Sequence, residues 1–490
     1  MKLAVLCDMH MGSVHSPQYA FFQYFANKME EDNIPCILCL GDITAYGEKE
    51  VFDAYVKEMS RFNHHYVIGN SDVRSEKTQA AFLGEATGFD ISLDGIRILG
   101  INTPFGKIEE KDRPAILGMQ DGEVLAMHHS IHMLDEDSRA FITKVAEEKA
   151  LTILHGHSHK TFDFVLGKSR VLGFRAADPD KSIGDYPCVT YVEMTKDGVS
   201  YEEVLRKAPQ SVLKDIEGHF GISCVDNHRD VAYALEKNVY GVELRCNGAG
   251  WEPDDTLIPL IDAWREKTHG YLSVHMPNLR FRDGEITGKD TWYQAVDYAK
   301  KVGADGLTIH PPRVKKPDMQ QGGKAWQEFL QLYLYAVEAM PERVKVGIEN
   351  LHMEADETDD DKRGFGYCPD EVLSWIAAIN DHFGRERVGH TLDVGHARNN
   401  GPLAQKFPCS RWYELMGSKT VAYHIHQIVP NEYGLSNHNA IEQWLAPVIS
   451  YAAFFYSWEA NIINHCPVFL EVRGCENYQK SIDAFQLLLD

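Results

Sequence analysis

Asp8 and His10 stand two residues apart in DMH, at the end of the apolar run KLAVLC. On an extended strand that spacing puts both side chains on one face. The arrangement returns along the first part of the chain. Asp42 closes CILCLGD, Asn70 closes HHYVIGN, His128 lies in LAMHH, and His157 and His159 lie in LHGHSH. Carboxylate, amide and imidazole together make a donor set of borderline softness, suited to Mn, Fe or Zn. Two such ions about 3.5–4 Å apart can clamp a phosphoryl group. Any one of these residues alone would read as a satisfied core histidine or a capping aspartate. All seven at successive run ends do not.

A second set lies further on. His275, His310, Glu349, Asp393, His396, His424, His438 and Glu471 fall in or just after apolar runs such as YLSVH, GLTIH, KVGIEN, HTLDVGH and FLEVRG. Charged groups aimed inward from adjacent strands resist burial unless compensated, and a metal ion compensates them. HIH offers His424 and His426 on one face; spacing to His438 favours His424. Arg245, Arg280, Arg282, Arg313 and Arg473 follow run ends, where a guanidinium can fork onto phosphate. Of these, Arg245, Arg313 and Arg473 are the expected substrate-binding residues.

The elements that position these groups fall into two patterns. The first part alternates short apolar runs with amphipathic segments such as YAFFQYFANKMEED, and closes on a hairpin, CVTYVEM and VSYEEVL, around KDG. That predicts an α/β sandwich. Around Arg206 to Glu217 the pattern changes. Beyond it eight apolar runs alternate with helical segments, which is the arithmetic of a closed (β/α)₈ barrel. The expected domains are 1–206, a linker at 207–217, and a barrel at 218–490. The acidic run EADETDDDK, Glu354 to Lys362, reads as a solvated loop or as a mobile lid on the catalytic face.

The motif order D-x-H, G-D, G-N, H and G-H-x-H resembles the calcineurin-like metallophosphoesterases, over about Met1 to Arg206. The resemblance implies that Asp8, His10, Asp42 and His159 hold one metal. Asp42 then bridges to a second, completed by Asn70, His128 and His157. A carboxylate suits that bridge because each oxygen has free lone pairs. Where the family has His after the Asn, this chain has Ser71, followed by Asp72. Serine cannot serve as a proton donor near neutral pH. His15, His129 or His132 substitutes, the leaving group needs little protonation, or the enzyme is weakened.

SVHMPNL, TIHPP, GIENL, TLDVGHA and FLEVRG resemble the xylose-isomerase-like barrels, and among them the endonuclease IV group, over His219 to Asp490. This implies a one-metal set of Glu349, Asp393, His424 and Glu471 with His396 beside it. His275, His310 and His438 extend it to one to three metals. The endonuclease group has Asp where this chain has Ser436. Asp42, Asn70, His128, Glu349 and Glu471 are the residues expected to carry the chemistry of the two sites.

Composition bounds the partners. The chain has 49 basic and 72 acidic residues among 490, a formal charge of −23. Such a surface repels nucleic acid and anionic membrane at long range. The expected substrate is a phosphorylated small molecule, a nucleotide or sugar phosphate. An abasic-site endonuclease or other nucleic-acid phosphodiesterase is the alternative reading. Ten scattered cysteines make no disulfide framework, and Cys36 and Cys39 read as core residues. No run is long enough to span a bilayer, so the expected setting is cytoplasmic. Barrels of this kind often pair, which leaves a homo-oligomer open.

Overall fold

The computed structural model describes all residues except 86–87, 196–197, 247–250, 355, 358–361, 433 and 490. Most of the acidic run that reads as a loop or lid therefore lies outside the described residues. The chain forms two compact units, Met1–Lys207 with Leu445–Ala453, and Ala208–Trp444 with Phe454–Asp490. The grouping of Leu445–Ala453 with the first unit is invisible to periodicity. It rests on such contacts as the Gly184 N–H donating to Leu445 O at 2.7 Å.

The first unit contains two sheets. One runs Gly198–Leu205, Cys188–Thr195, Lys2–Leu6, Ile37–Cys39, His64–Tyr66. The other runs Phe89–Leu93, Ile96–Gly100, Val124–Met127, Thr152–His155, Ser169–Gly173, Phe162–Leu166. Leu3, Val5, Leu38 and Leu40 of the first pack with Ile98, Ala126, Leu154 and Leu172 of the second. Strands covered on both faces need continuous apolar runs, which is why KLAVL and ILC are apolar throughout. Helix Pro17–Glu31 starts where Ser16 accepts the Tyr19 N–H, with Pro17 at its first position. It buries Phe21, Phe22, Phe25 and Met29.

The second unit is a closed barrel of eight parallel strands: Phe220–Ser223, Gly241–Arg245, Tyr271–His275, Gly306–Ile309, Lys345–Glu349, Val388–Asp393, Thr420–Ile425 and Val468–Leu470. Each predicted run supplies one strand. Inside a barrel, branched apolar residues are the norm. Here the interior also carries polar groups: Ser223, Ser273 and Thr308, all buried, each donate a hydroxyl to the buried Glu243 carboxylate. Near the other end, a Cβ on Gly221 would meet the Phe469 ring at 2.6 Å, so glycine makes room for that aromatic plug. Cys36 and Cys39 are buried and unbridged, as are most of the ten free cysteines. Among the described residues no helix is long and apolar enough to cross a membrane.

Candidate metal centres

In the first unit, the strand ends bring together all seven residues singled out there. Asp42 lies at the middle. Its Oδ2 is hydrogen-bonded to His10 Nε2 at 3.1 Å, and its Oδ1 is 3.5 Å from His128 Nε2. On the His10 side stand Asp8 and His159, with His159 Nε2 3.5 Å from Asp8 Oδ1. On the His128 side stand Asn70 and His157, whose Oδ1 and Nδ1 each lie 3.1 Å from His128 Nε2. The two oxygens of Asp42 thus face two separate donor groups.

The backbone is bent to make this arrangement. Asp8, His10, Asp42, His157 and His159 have φ of +54°, +43°, +53°, +64° and +56°. Non-glycine residues in that region are strained, and strain concentrates at functional sites. Gly69 is fixed by space: a Cβ there would overlap the Asp42 carboxylate. Asp72 ties two of the ligand turns together, accepting from Thr44 N and Oγ1 at 2.8 and 3.0 Å and from Gly69 N at 3.0 Å. Burial and the Asp42 charge push its carboxyl up to about 6.

The donor set fits metal ions. His128 Nδ1 donates to Leu40 O at 2.8 Å, so its Nε2 lone pair faces the oxygens of Asn70 and Asp42. Asn70 turned the other way would instead donate to His128 Nε2 and His157 Nδ1. The oxygen-inward orientation is the one a cation requires. Burial lowers His10, but Asp178 and Asp42 outweigh it and hold the imidazole at about 9. Burial raises Asp8, but His159 beside it brings the carboxyl down to about 2.

Asp178 has no counterpart among the residues picked from sequence. In ADPDK it looks like a cap, and its carboxylate does accept the Asp180 N–H. The same carboxylate sits 3.2 Å from His10 Nδ1, which leaves Nε2 to face Asp42. Carboxylates in that position orient a ligating imidazole and are worth about 10–100-fold in metal affinity. Asp178→Asn is expected to weaken metal binding by that factor in a competitive chelator titration, with the fold intact by circular dichroism.

Ser71 contributes its backbone: its N–H donates to Asp42 Oδ1 at 2.8 Å, and its hydroxyl is buried. Of the three histidines considered as its substitute, His15 and His132 are exposed. His129 is buried and stacks on His157 with centroids 4.2 Å apart. Burial drops it to about 3, so it is neutral near pH 7.

In the barrel unit, Glu349 is the hub. Its Oε2 lies 3.2 Å from His275 Nε2 and 3.1 Å from His310 Nε2. Its Oε1 lies 3.3 Å from His396 Nδ1 and 3.5 Å from His424 Nδ1. His275 Nδ1 faces Met276 O at 3.2 Å and His310 Nδ1 faces Asn278 Oδ1 at 2.5 Å. Both rings therefore carry a proton on Nδ1 and turn Nε2 to the Glu349 carboxylate. Burial holds His310 down at about 4, so its Nε2 is a lone pair, whereas Glu349, Glu243 and Glu471 outweigh burial and raise His275. Neither oxygen of Glu349 has a hydrogen-bond donor among the described residues. Ligands of a tetrahedral ion with bonds of about 2.0–2.1 Å stand about 3.3–3.4 Å apart. The observed 3.1–3.2 Å separations lie close to that spacing and also within hydrogen-bond range.

The other ligands adjoin this hub. Glu471 Oε2 is 3.2 Å from His424 Nδ1 and 3.6 Å from His438 Nδ1. Asp393 Oδ2 is 3.2 Å from His396 Nδ1, and Asp393 Oδ1 is 3.3 Å from His426 Nε2. The HIH pair splits. His424 faces Glu349 and Glu471. His426 Nδ1 lies 3.0 Å from the His438 backbone N and 3.2 Å from Gln427 O, and its Nε2 lies 3.3 Å from Asp393 Oδ1, in a group with His396. Ser436 sits on the hairpin that carries His438, paired with Val429.

Glu243 was missed. It is fully buried on the second barrel strand, with Oε1 2.8 Å from His424 Nε2. Ser223, Ser273 and Thr308 donate to its oxygens at 2.9, 3.1 and 2.6 Å. A lone acid inside the apolar strand GVELR was the available signal. Glu243→Gln removes the charge that orients His424 and is expected to cost about 10–100-fold in barrel metal affinity. Calorimetric titration with Zn or Mn would read it, and an unchanged affinity would overturn the assignment.

The three arginines differ. Arg245 Nη2 donates to Glu471 Oε1 at 3.0 Å, so its fork is already engaged at the cluster. Arg473 is exposed. Arg313 lines a cavity and has no acidic partner among the described residues. Tyr423 is buried and Trp251 packs edge-on to Tyr298, both as packing residues.

Two family models match the chain, one over each unit. Residues 1–173 match the calcineurin-like phosphoesterase superfamily domain, and residues 231–485 match the xylose isomerase-like TIM barrel. Among solved structures, a D-tagatose 3-epimerase-like protein is 17% identical, with 55% of this chain and 97% of that one covered and a TM-score of 0.39. A xylose isomerase domain protein from Planctomyces limnophilus is 14% identical, covering 55% and 95%, with a TM-score of 0.36. For the first unit, Vps29 from Entamoeba histolytica, a single mutant, is 18% identical, covering 42% and 100%, with a TM-score of 0.25. A search of curated sequences finds no match. These structural likenesses add nothing to the family models, and it is those models that decide: the chain belongs to the xylose isomerase-like TIM barrel family, and carries a calcineurin-like phosphoesterase domain ahead of the barrel.

Proposed function

We propose that the protein is a bifunctional metal-dependent enzyme acting on a phosphorylated small molecule, a nucleotide or sugar phosphate. The first unit would hydrolyse a phosphoester, and the barrel would hydrolyse, isomerise or epimerise a related compound. One observation carries the reading: at both centres imidazole lone pairs and carboxylate oxygens converge, buried, at ligand-to-ligand separations.

In the first unit Asp8, His10, Asp42 and His159 would hold one ion and Asn70, His128 and His157 the second, with Asp42 shared. In the barrel His275, His310, Glu349, Asp393, His396, His424, His438 and Glu471 would hold one to three. Mn, Fe or Zn in these positions would supply Lewis acidity toward a phosphoryl or carbonyl oxygen. The protein's own groups do the orienting. Asp178 and Glu243 fix two imidazoles, Arg245 fixes Glu471, and Asp72 sets the spacing of two ligand turns. With His129 neutral, no imidazolium at position 71 or 129 protonates a leaving group. That favours esters whose leaving group departs as a stable anion.

The test is a substrate screen on protein loaded with each metal, using aryl phosphoesters, nucleotides and sugar phosphates. Hydrolysis or isomerisation of none of them would sink the proposal. Nucleic acid is the weaker reading, because a charge of −23 opposes a duplex footprint. Binding and cleavage of abasic or nicked duplex at low salt would reverse that ranking. A cytoplasmic setting is the compartment we infer for it, and a homo-oligomer is compatible with it.

A further inference from the structure

We infer that the barrel unit contains a phosphate-monoester pocket built on Arg313 and Arg280, beside the Glu349 centre. This rests on the reading above that the barrel takes a phosphorylated compound, and it names how the phosphate is held.

Most arginines in this chain are tied up. Arg61, Arg97, Arg113, Arg170, Arg265 and Arg363 each pair with a carboxylate. In a chain of net charge −23 that is expected. Arg313 and Arg280 are among the several that have no carboxylate within ion-pair distance among the described residues. They are also neighbours. Their backbones form a parallel bridge, with the Phe281 N–H donating to Arg313 O and the Arg313 N–H to Leu279 O, both at 3.1 Å. The two side chains thus leave neighbouring backbone positions and line the same cavity, Arg280 exposed at its mouth, where a shared anion would stabilise both.

The surroundings form a site. Arg280, Arg313 and Lys315 line one cavity of about 330 Å³, with Tyr367, Glu354 and Glu357. Glu357 is already satisfied: Lys315 Nζ is 3.0 Å away, and the Tyr367 hydroxyl and the Glu354 N–H donate to it at 2.6 and 2.9 Å. Among the described residues that line the cavity, Glu354 is the one acid left over, against two cations. Arg313 Nε is buried with no hydrogen-bond partner among the described residues. Such a donor costs free energy unless a ligand accepts it. Burial, felt together with Arg280, lowers the Arg313 guanidinium from its ordinary value, although nearby acids offset part of this. Arg313 follows His310 by three residues, and Leu351, also on the cavity wall, follows Glu349 by two. A phosphate held here leaves the rest of a small molecule to reach the hub. A dianionic monoester matches two guanidinium groups better than a singly charged diester.

The test is site-resolved. Full-length protein is treated with phenylglyoxal, and labelling of each arginine is followed by peptide mass spectrometry. Inorganic phosphate is expected to slow labelling of Arg313 and Arg280 by about tenfold, the worth of one charge-assisted pair, and to leave Arg282 and Arg473, which do not line this cavity, unchanged. In Arg313→Met, Arg280 should still label but lose its phosphate protection. Protection no greater than with chloride at equal ionic strength overturns the pocket. So does protection by an abasic duplex but not by phosphate, which would make it a nucleic-acid contact. Metal-dependent turnover in the barrel despite either negative result would leave the functional reading standing and this pocket refuted.

Discussion

Asp42→Asn is expected to abolish phosphoester hydrolysis and to strip metal from the first unit alone. Asp42 is the one group that faces both donor sets, with one oxygen 3.1 Å from His10 Nε2 and the other 3.5 Å from His128 Nε2. An amide has one oxygen, so one of the two ions loses its anionic bridge. Losing an outer-shell partner costs about 10–100-fold in affinity or rate; losing the shared ligand should exceed that, at about 10³-fold or more. The fold should survive. Asparagine is isosteric, and its oxygen can still accept the Ser71 N–H that Asp42 accepts at 2.8 Å. Elemental analysis beside the wild type, with hydrolysis of an aryl phosphate, reads both effects. A variant that keeps its full metal content and its rate would show that Asp42 holds no metal.

The strands were legible because of burial on both faces. Each of the eight barrel strands is an apolar run in the sequence, since parallel strands covered by helices need one. Phe89–Leu93 and Phe162–Leu166 were not legible, because they are edge strands with mostly exposed or half-exposed residues and no apolar run. The ligands were legible because they sit where such runs stop. Their partners were not. Glu243 lies inside an apolar strand, and Asp178 lies in a turn rich in aspartate and proline, where a cap is the ordinary explanation. The left-handed backbone at Asp8, His10, Asp42, His157 and His159 carries no glycine or other signature. It is imposed by the convergence of loops distant in sequence, which one-dimensional patterns do not record.

Glu349→Gln is expected to empty the barrel of metal while leaving the first unit loaded and active, the complement of Asp42→Asn. It should also invert the order of stability with and without metal. In metal-loaded protein the variant loses the anion that four imidazoles surround, at 3.1–3.5 Å, and it should melt lower. In protein stripped by chelator the comparison changes sign. The wild-type carboxylate is then buried with neither oxygen hydrogen-bonded, a situation that costs about 1–3 kcal/mol or more. A glutamine amide at the same place can donate to the Nε2 lone pair of His310, whose Nδ1 proton is spoken for by Asn278 Oδ1 and which burial holds neutral. The stripped variant should therefore melt above the stripped wild type, by about 2–4 °C for each kcal/mol in a unit of this size. Calorimetry of both proteins, with and without chelator, reads the four temperatures. If the variant melts lower in both conditions, the carboxylate is stabilised by protonated imidazoles, and the case for a cation at the hub fails with it.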